Sequence, residues 1–222
     1  MPTALIFGAS RGLGRAIVEE LLGRGWSVIA TVRQADALSD LTHDQLTVEV
    51  VDTTDWAGVD ALKDGLAGRT LDLLFVSAAI VGPSATPIGE ADPDAFAQMM
   101  LVNVLAPLRI CDRFADLVAP QGMIAAMSSG LGSIARNDTG GYEAYRTSKA
   151  ALNMGLKSIA ARRADGRTYI AADPGWVRTD MGGPEAALSI EQSIPNLVTM
   201  LETRAGLGGM AFVSYQDSEH PW

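Results

Sequence analysis

Tyr145 and Lys149 stand four positions apart in Tyr145-Arg146-Thr147-Ser148-Lys149, at the start of a long stretch with helical character. On a helix, i and i+4 side chains share one face. An ammonium beside a phenol favours the phenolate and is expected to lower the tyrosine from its ordinary pKa of about 10 toward working pH. Such a pair is a general acid/base for moving a proton on or off an alcohol oxygen. The spacing also arises by chance on many helices, so its surroundings decide its meaning.

Short β-type runs alternate with longer helical ones. The strand candidates are Thr3–Phe7, Ser27–Val32, Leu46–Val51, Leu71–Val76, Met123–Met127, Thr168–Ala172 and Met210–Ser214. Most are continuous apolar runs, the sign of strands covered on both faces. Helical patterns fill the gaps at Gly12–Gly23, Asp55–Leu66, Asp92–Val118, Tyr142–Arg163 and Ile190–Leu201. The repeated β-α-β order predicts an α/β fold: a doubly wound, Rossmann-type parallel sheet of about seven strands with helices on both faces. No linker or repeat interrupts it, so residues 1–222 are expected to form a single domain.

The first strand runs into Gly8-Ala9-Ser10-Arg11-Gly12-Leu13-Gly14. Gly8 permits a tight turn, and Gly12 and Gly14 allow backbone to approach a ligand closely. The following helix N-terminus offers free N–H groups to a pyrophosphate. The order is not G-x-G-x-x-G, and no Gly-Lys-Ser/Thr follows as in a P-loop. A purely structural glycine turn is the alternative. About twenty residues on, where a free 2′-hydroxyl usually meets an acid, the second strand ends in Val32-Arg33. Arg33 and Arg11 suit a 2′-phosphate, which a guanidinium grips through forked hydrogen bonds. NADP is therefore expected over NAD, unless both arginines are simply solvated. Asp52 and Thr53 follow the third strand and could meet an adenine edge or cap the next helix.

Two more strand ends carry polar chemistry: Met127-Ser128-Ser129-Gly130 and Asp173-Pro174-Gly175-Trp176-Val177-Arg178-Thr179. Ligands bind beyond the carboxyl ends of strands in such sheets. A serine hydroxyl there could hold a substrate oxygen opposite Tyr145. Asn103 interrupts the helical run Asp92–Val118, where asparagine is a poor fit and calls for a partner.

Composition narrows the classes. The chain has 222 residues, 48% hydrophobic and 19% charged, enough for one full core. A net charge of −9 argues against a nucleic-acid partner. The single cysteine, Cys111, allows no internal disulfide, and His43 and His220 are too isolated to suggest a metal site. No signal-type segment opens the chain. No run reaches about 18 uninterrupted apolar residues, so no membrane span is expected. A cytoplasmic protein is the default expectation.

Taken in order, Gly8-x-x-x-Gly12-x-Gly14, Asp52, Asn103, Ser129, Tyr145-x-x-x-Lys149 and Pro174-Gly175 with Val177 and Thr179 resemble the short-chain dehydrogenase/reductase family over nearly the whole chain. Gly175-Trp176-Val177-Arg178-Thr179-Asp180-Met181-Gly182-Gly183-Pro184 and the closing Pro221-Trp222 are similar to its C-factor-like and sniffer-like carbonyl reductases. The resemblance implies hydride transfer between NADP(H) and a small-molecule carbonyl or alcohol, with reduction the expected direction. It makes Tyr145 the proton donor or acceptor. Lys149 would lower its pKa and bind the nicotinamide ribose. Ser129, rather than its neighbour Ser128, would polarise the substrate oxygen. Asn103 would hold a water linked to Lys149. Ala78 and Ala79, with Ser10 and Leu13, would line the cofactor, and Val177 and Thr179 would contact its carboxamide. Tyr142, followed by Arg146, does not match the pattern.

The chain departs from the family at Ser77-Ala78-Ala79-Ile80, where Asn-Ala-Gly is usual, and at Phe7-Gly8, where Thr-Gly is common. A homodimer or homotetramer is expected by the same resemblance. Two other readings stay open: a cofactor-binding signalling protein with little turnover, and a different reaction on this scaffold, such as epimerisation or dehydration. Ile80, Val81, Trp176 and the segment from Asp180 to Pro195 point to an apolar, open substrate pocket.

Overall fold

The computed structural model describes residues 1–222. Its strands are β1 (Thr3–Phe7), β2 (Ser27–Val32), β3 (Leu46–Val50), β4 (Leu71–Val76), β5 (Val118–Met127), β6 (Thr168–Asp173) and β7 (Gly209–Ser214). They form one parallel sheet in the order β3-β2-β1-β4-β5-β6-β7. The order reverses between β1 and β4, which opens a crevice at their carboxyl ends.

Side chains alternate across each strand and so feed two cores. Ala4 and Ile6 of β1, with Ile170 and Ala172 of β6, face α1 (Gly12–Gly23) and α6 (Ile190–Arg204). Leu5 and Phe7, with Tyr169 and Ala171, face α2 (Trp56–Gly65), α4 (Ala106–Phe114) and α5 (Glu143–Arg163). Helices therefore cover both faces of a Rossmann-type α/β sheet, as the alternating pattern implied. β3 is the exception to two-sided burial. It is one of the two sheet edges, and Val50 is 56% exposed.

The expected helix Asp92–Val118 is divided. Asp92 caps α3 (Pro93–Met100) by accepting from the Ala95 N–H at 2.7 Å. A π-helical turn follows at Leu101–Leu105, then α4, then a 3₁₀ turn at Ala115–Leu117. The last residue assigned to that helix, Val118, begins β5 instead. By length and composition the run Pro93–Leu117 would pass as a membrane span, with a mean hydropathy of 1.2. Here it buries Ile110, Cys111 and Phe114 against the sheet and α5.

Helix caps divide by location. Asp55 caps α2, and Ser189 with Gln192 forms a reciprocal capping box on α6. α1 and α5 have no side-chain cap. Their first-turn N–H groups therefore have no side-chain cap as a partner.

Candidate active site

The glycine turn is packed so closely that side chains are excluded. A Cβ on Gly14 would lie 2.1 Å from the Gly8 carbonyl oxygen, and one on Gly8 would lie 2.7 Å from the Ala78 amide nitrogen. Gly8 and Gly12 also have φ of +81° and +56°, which glycine adopts at no steric cost. Ser77 donates its N–H to the Phe7 carbonyl at 2.9 Å, so Ser77-Ala78-Ala79 runs beside the turn. The methyl of Ala78 is thus a wall of the glycine turn. Ser10 is partly open, and Leu13 packs on the α1 core.

Arg11 and Arg33 are both exposed, just beyond the carboxyl ends of β1 and β2. Arg11 is not free: its Nη1 meets Asp180 Oδ2 at 2.8 Å across the mouth. Asp52 accepts from the N–H and hydroxyl of Thr54, at 2.8 and 2.7 Å, and these bonds hold its carboxyl below the usual range. Thr53 is buried beside it. The helix cap itself is Asp55.

Opposite, Gly175 turns the chain with φ of +77°, and Asp173 Oδ1 accepts its N–H at 3.0 Å. Pro174 accepts the buried Ser193 hydroxyl at 2.7 Å. Val177 is buried and bridges to Leu188. The methyl of Thr179 would lie 3.9 Å from a Cβ on Gly12, so the glycine and Pro-Gly turns face each other.

The two serines at the end of β5 differ in role. Ser128 is buried and donates to Asn153 Oδ1 at 2.6 Å. Ser129 is partly open; its Oγ accepts the Leu131 N–H at 3.2 Å, leaving the hydroxyl proton to donate elsewhere. Tyr142 is 57% exposed in a left-handed conformation at the start of α5. Arg146 turns away to the carbonyls of Gly141 and Gly140.

Lys149 is buried under the site. Its Nζ donates to the Met127 carbonyl at 2.9 Å and lies 5.5 Å from the centroid of the Tyr145 ring. The expected direction of the tyrosine shift is reversed. Burial, and secondarily the negative charge of Asp173, pushes the Tyr145 phenol up to about 12. Burial draws the Lys149 ammonium down to about 8. Desolvation penalises both charged forms and here outweighs the neighbouring cation.

Asn103 has the partners its position called for. Its side chain accepts the Ile80 N–H and donates to the Ile80 carbonyl, both at 2.8 Å, and donates to Ser148 Oγ at 3.2 Å. It clamps the strand-four loop to α5 from within the π turn. The buried Asp173 and its partner His220 were not picked out as site residues. Asp173 stood in a strand-end motif read for its Pro-Gly turn, and His220 lies 47 residues away. Their nearness could be read only from the fold.

The description "short chain dehydrogenase" matches residues 2–187. The C-signal protein of Myxococcus xanthus is 34% identical over 155 residues, covering 68% of this chain and 93% of that one. A solved structure from Burkholderia multivorans, described as a short-chain dehydrogenase/reductase with bound NADP, is 43% identical. It has a TM-score of 0.94 and covers 100% of this chain and 99% of that one. Carbonyl reductase Sniffer of D. melanogaster is 29% identical with a TM-score of 0.90 and full coverage of both chains.

Proposed function

The chain belongs to the short-chain dehydrogenase family, and we propose that it is an NADP(H)-dependent carbonyl reductase in which Tyr145 is the proton donor. The observation that carries this reading is the buried Lys149 ammonium, held by the Met127 carbonyl 5.5 Å from the Tyr145 ring, at the strand end that also presents Ser129. Burial pushes the phenol up to about 12, so Tyr145 keeps its proton at neutral pH. A carbonyl oxygen gaining charge needs that state. The likeness to an NADP-bound relative and to a carbonyl reductase supports the same choice.

The residues present fit the cofactor. The excluded Cβ positions at Gly8 and Gly14 leave backbone-only space, and uncapped α1 offers its N–H groups to a pyrophosphate. Arg11 and Arg33 would hold a 2′-phosphate, with Asp52 and Thr53 near the adenine. Ala78 and Ala79 would lie along the dinucleotide, and Pro174, Gly175, Val177 and Thr179 beside the nicotinamide. When bound, the reduced nicotinamide supplies the hydride. Ser129 donates to the substrate oxygen and fixes its position. Tyr145 transfers its proton to that oxygen as the carbon becomes tetrahedral. Lys149, held by the Met127 carbonyl, keeps positive charge beneath the ring and steadies the phenolate left behind. Asn103 keeps the Ile80 loop in register with α5.

Exposed apolar side chains on segments flanking these groups, among them Trp176 at 56% and Met181 at 45%, favour an apolar carbonyl substrate. NADPH consumption, matched mole for mole to alcohol formed from a panel of aldehydes and ketones, tests the reaction. Product isomerised or dehydrated without net NADPH use would overturn it. The cofactor choice has its own test. NADP at about 100 times its Kd should stabilise by about 2.7 kcal/mol, raising Tm by about 5–10 °C. NAD at equal concentration should do far less. Stabilisation by NAD alone would refute the role given to Arg11 and Arg33.

The likeness to the C-signal protein favours one second reading, a cofactor-binding signal that does not depend on turnover. A biological effect that survives loss of the Tyr145 hydroxyl would select it. We also place residues 1–222 in one cytoplasmic domain that assembles as a homodimer or homotetramer. Light scattering should give two or four times the 23.3 kDa chain mass; a monomer would overturn the assembly.

A further inference from the structure

Two turns face each other across the mouth of the crevice, and one ion pair joins them. On one side Arg11 stands just before α1 with an extended backbone, and its side chain makes no cap for the helix. Gly12 follows with φ of +56°. On the other side Asp180 lies in a turn closed by its own neighbours. The Gly182 N–H donates to Thr179 Oγ1 at 3.1 Å, and the Gly183 N–H to the Thr179 carbonyl at 2.9 Å. Trp176 Nε1 donates to the Gly182 carbonyl at 2.8 Å and fixes the far end of that turn. A Cβ on Gly12 would lie 3.9 Å from the Thr179 methyl, so the two turns are in reach of each other. From these fixed positions Arg11 Nη1 and Asp180 Oδ2 meet at 2.8 Å.

The two side chains are 73% and 79% exposed, so packing does not hold the pair together. Charge does, and an exposed ion pair is weak enough to be exchanged for a stronger one. A phosphate is the stronger partner, because a guanidinium meets it through two parallel hydrogen bonds and a larger opposing charge. Of the two cations given to the 2′-phosphate, Arg11 is the one that an acid already neutralises. The neighbouring Arg178 is turned away from Asp180, with its Nη1 on the Ala186 carbonyl at 2.8 Å.

We propose that Asp180 is a specificity residue for the cofactor: it competes with the 2′-phosphate for Arg11 and so lowers the preference for NADP over NAD. This role rests on the reading of Arg11 as a 2′-phosphate ligand and adds to it a residue that opposes binding. While Arg11 pairs with Asp180, its charge is already answered. Once Arg11 turns to the phosphate, the Asp180 carboxylate loses its cation. Neither cost arises with NAD, which has a hydroxyl where NADP has the phosphate. An amide at position 180 removes the competing charge and keeps the turn, whose bonds run through Thr179, Gly182 and Gly183.

The test is calorimetric titration of the full chain with NADP and with NAD, for the wild type, Asp180→Asn, Arg11→Ala and the double variant. Both side chains are exposed, so all four proteins should fold and unfold at similar temperatures. Asp180→Asn should tighten NADP about three- to fivefold, the upper range for an exposed ion pair, and change NAD by less than about twofold. In the Arg11→Ala background the same change should leave NADP binding as it was, because the competition runs through that guanidinium. NADP tightened equally with and without Arg11 would make Asp180 a distant field and overturn the inference. Unchanged or weaker NADP binding in Asp180→Asn would overturn it too, the weaker case showing that the pair clasps the bound cofactor. The reading beneath it fails separately. If Arg11→Ala costs no NADP affinity even in the Asp180→Asn background, Arg11 is no ligand of the 2′-phosphate.

Discussion

Replacing Tyr145 by phenylalanine should lower kcat by about 10²–10⁴, the usual worth of a positioned general acid, and leave the NADP-induced rise in Tm intact. The substitution removes one oxygen and keeps the ring that Lys149 approaches at 5.5 Å. Packing beneath the site is therefore preserved. Single-turnover mixing with NADPH and a reactive ketone would isolate the chemical step. An unchanged rate would remove Tyr145 from the reaction. A slow rate accompanied by loss of cofactor stabilisation would make the effect structural. Wild-type reduction should hold its rate at neutral pH, begin to fall through about pH 8 as Lys149 loses the charge that steadies the phenolate, and fall further as Tyr145 loses its proton at higher pH.

Gly14→Ala should have the largest effect on the fold and on cofactor binding together. The added methyl would stand 2.1 Å from the Gly8 carbonyl oxygen, a backbone atom that cannot rotate away. Overpacking of this kind costs about 1–3 kcal/mol, and for a chain of this size about 2–4 °C of Tm is lost per kcal/mol. A fall of about 2–12 °C is expected, together with loss of stabilisation by NADP. Gly23→Ala, on the same helix, meets nothing within 4 Å and is the control. It should match or slightly exceed wild type, since alanine is the better helix former by up to about 1 kcal/mol. Equal Tm values and equal NADP responses in the two variants would refute the close-packed turn.

The strands were legible because a parallel sheet writes its buried members as unbroken apolar runs. β1, β2 and β4 have the limits their sequences suggested. β3 was read among the same runs, but its exposure was not, because being an edge depends on what pairs beyond it. The run Asp92–Val118 shows where a local pattern stops short. Its helical character is real, yet an i→i+5 turn around Asn103 cannot be told from α-helix by hydrophobic period. Site chemistry divides the same way. Glycine spacing and Tyr145-x-x-x-Lys149 are local and could be read directly. The sign of the Tyr145 shift could not, because it is a balance between burial and charge that only tertiary packing sets. Arg11 with Asp180, and Asp173 with His220, lie 169 and 47 residues apart, so no spacing announces them.

The π turn at Leu101–Leu105 has a meaning for how this chain can vary. A π turn takes one more residue than the α turn it replaces, so it behaves as an insertion absorbed without a loop. Deleting one residue there would close the turn to a regular helix and leave α3 and α4 on the faces they now present. Ile110, Cys111 and Phe114 would stay in the core. Asn103 would shift within the turn and lose its bonds to Ile80 and Ser148. The surplus residue thus serves the aim of one side chain, and the gene could drop it without losing the helix.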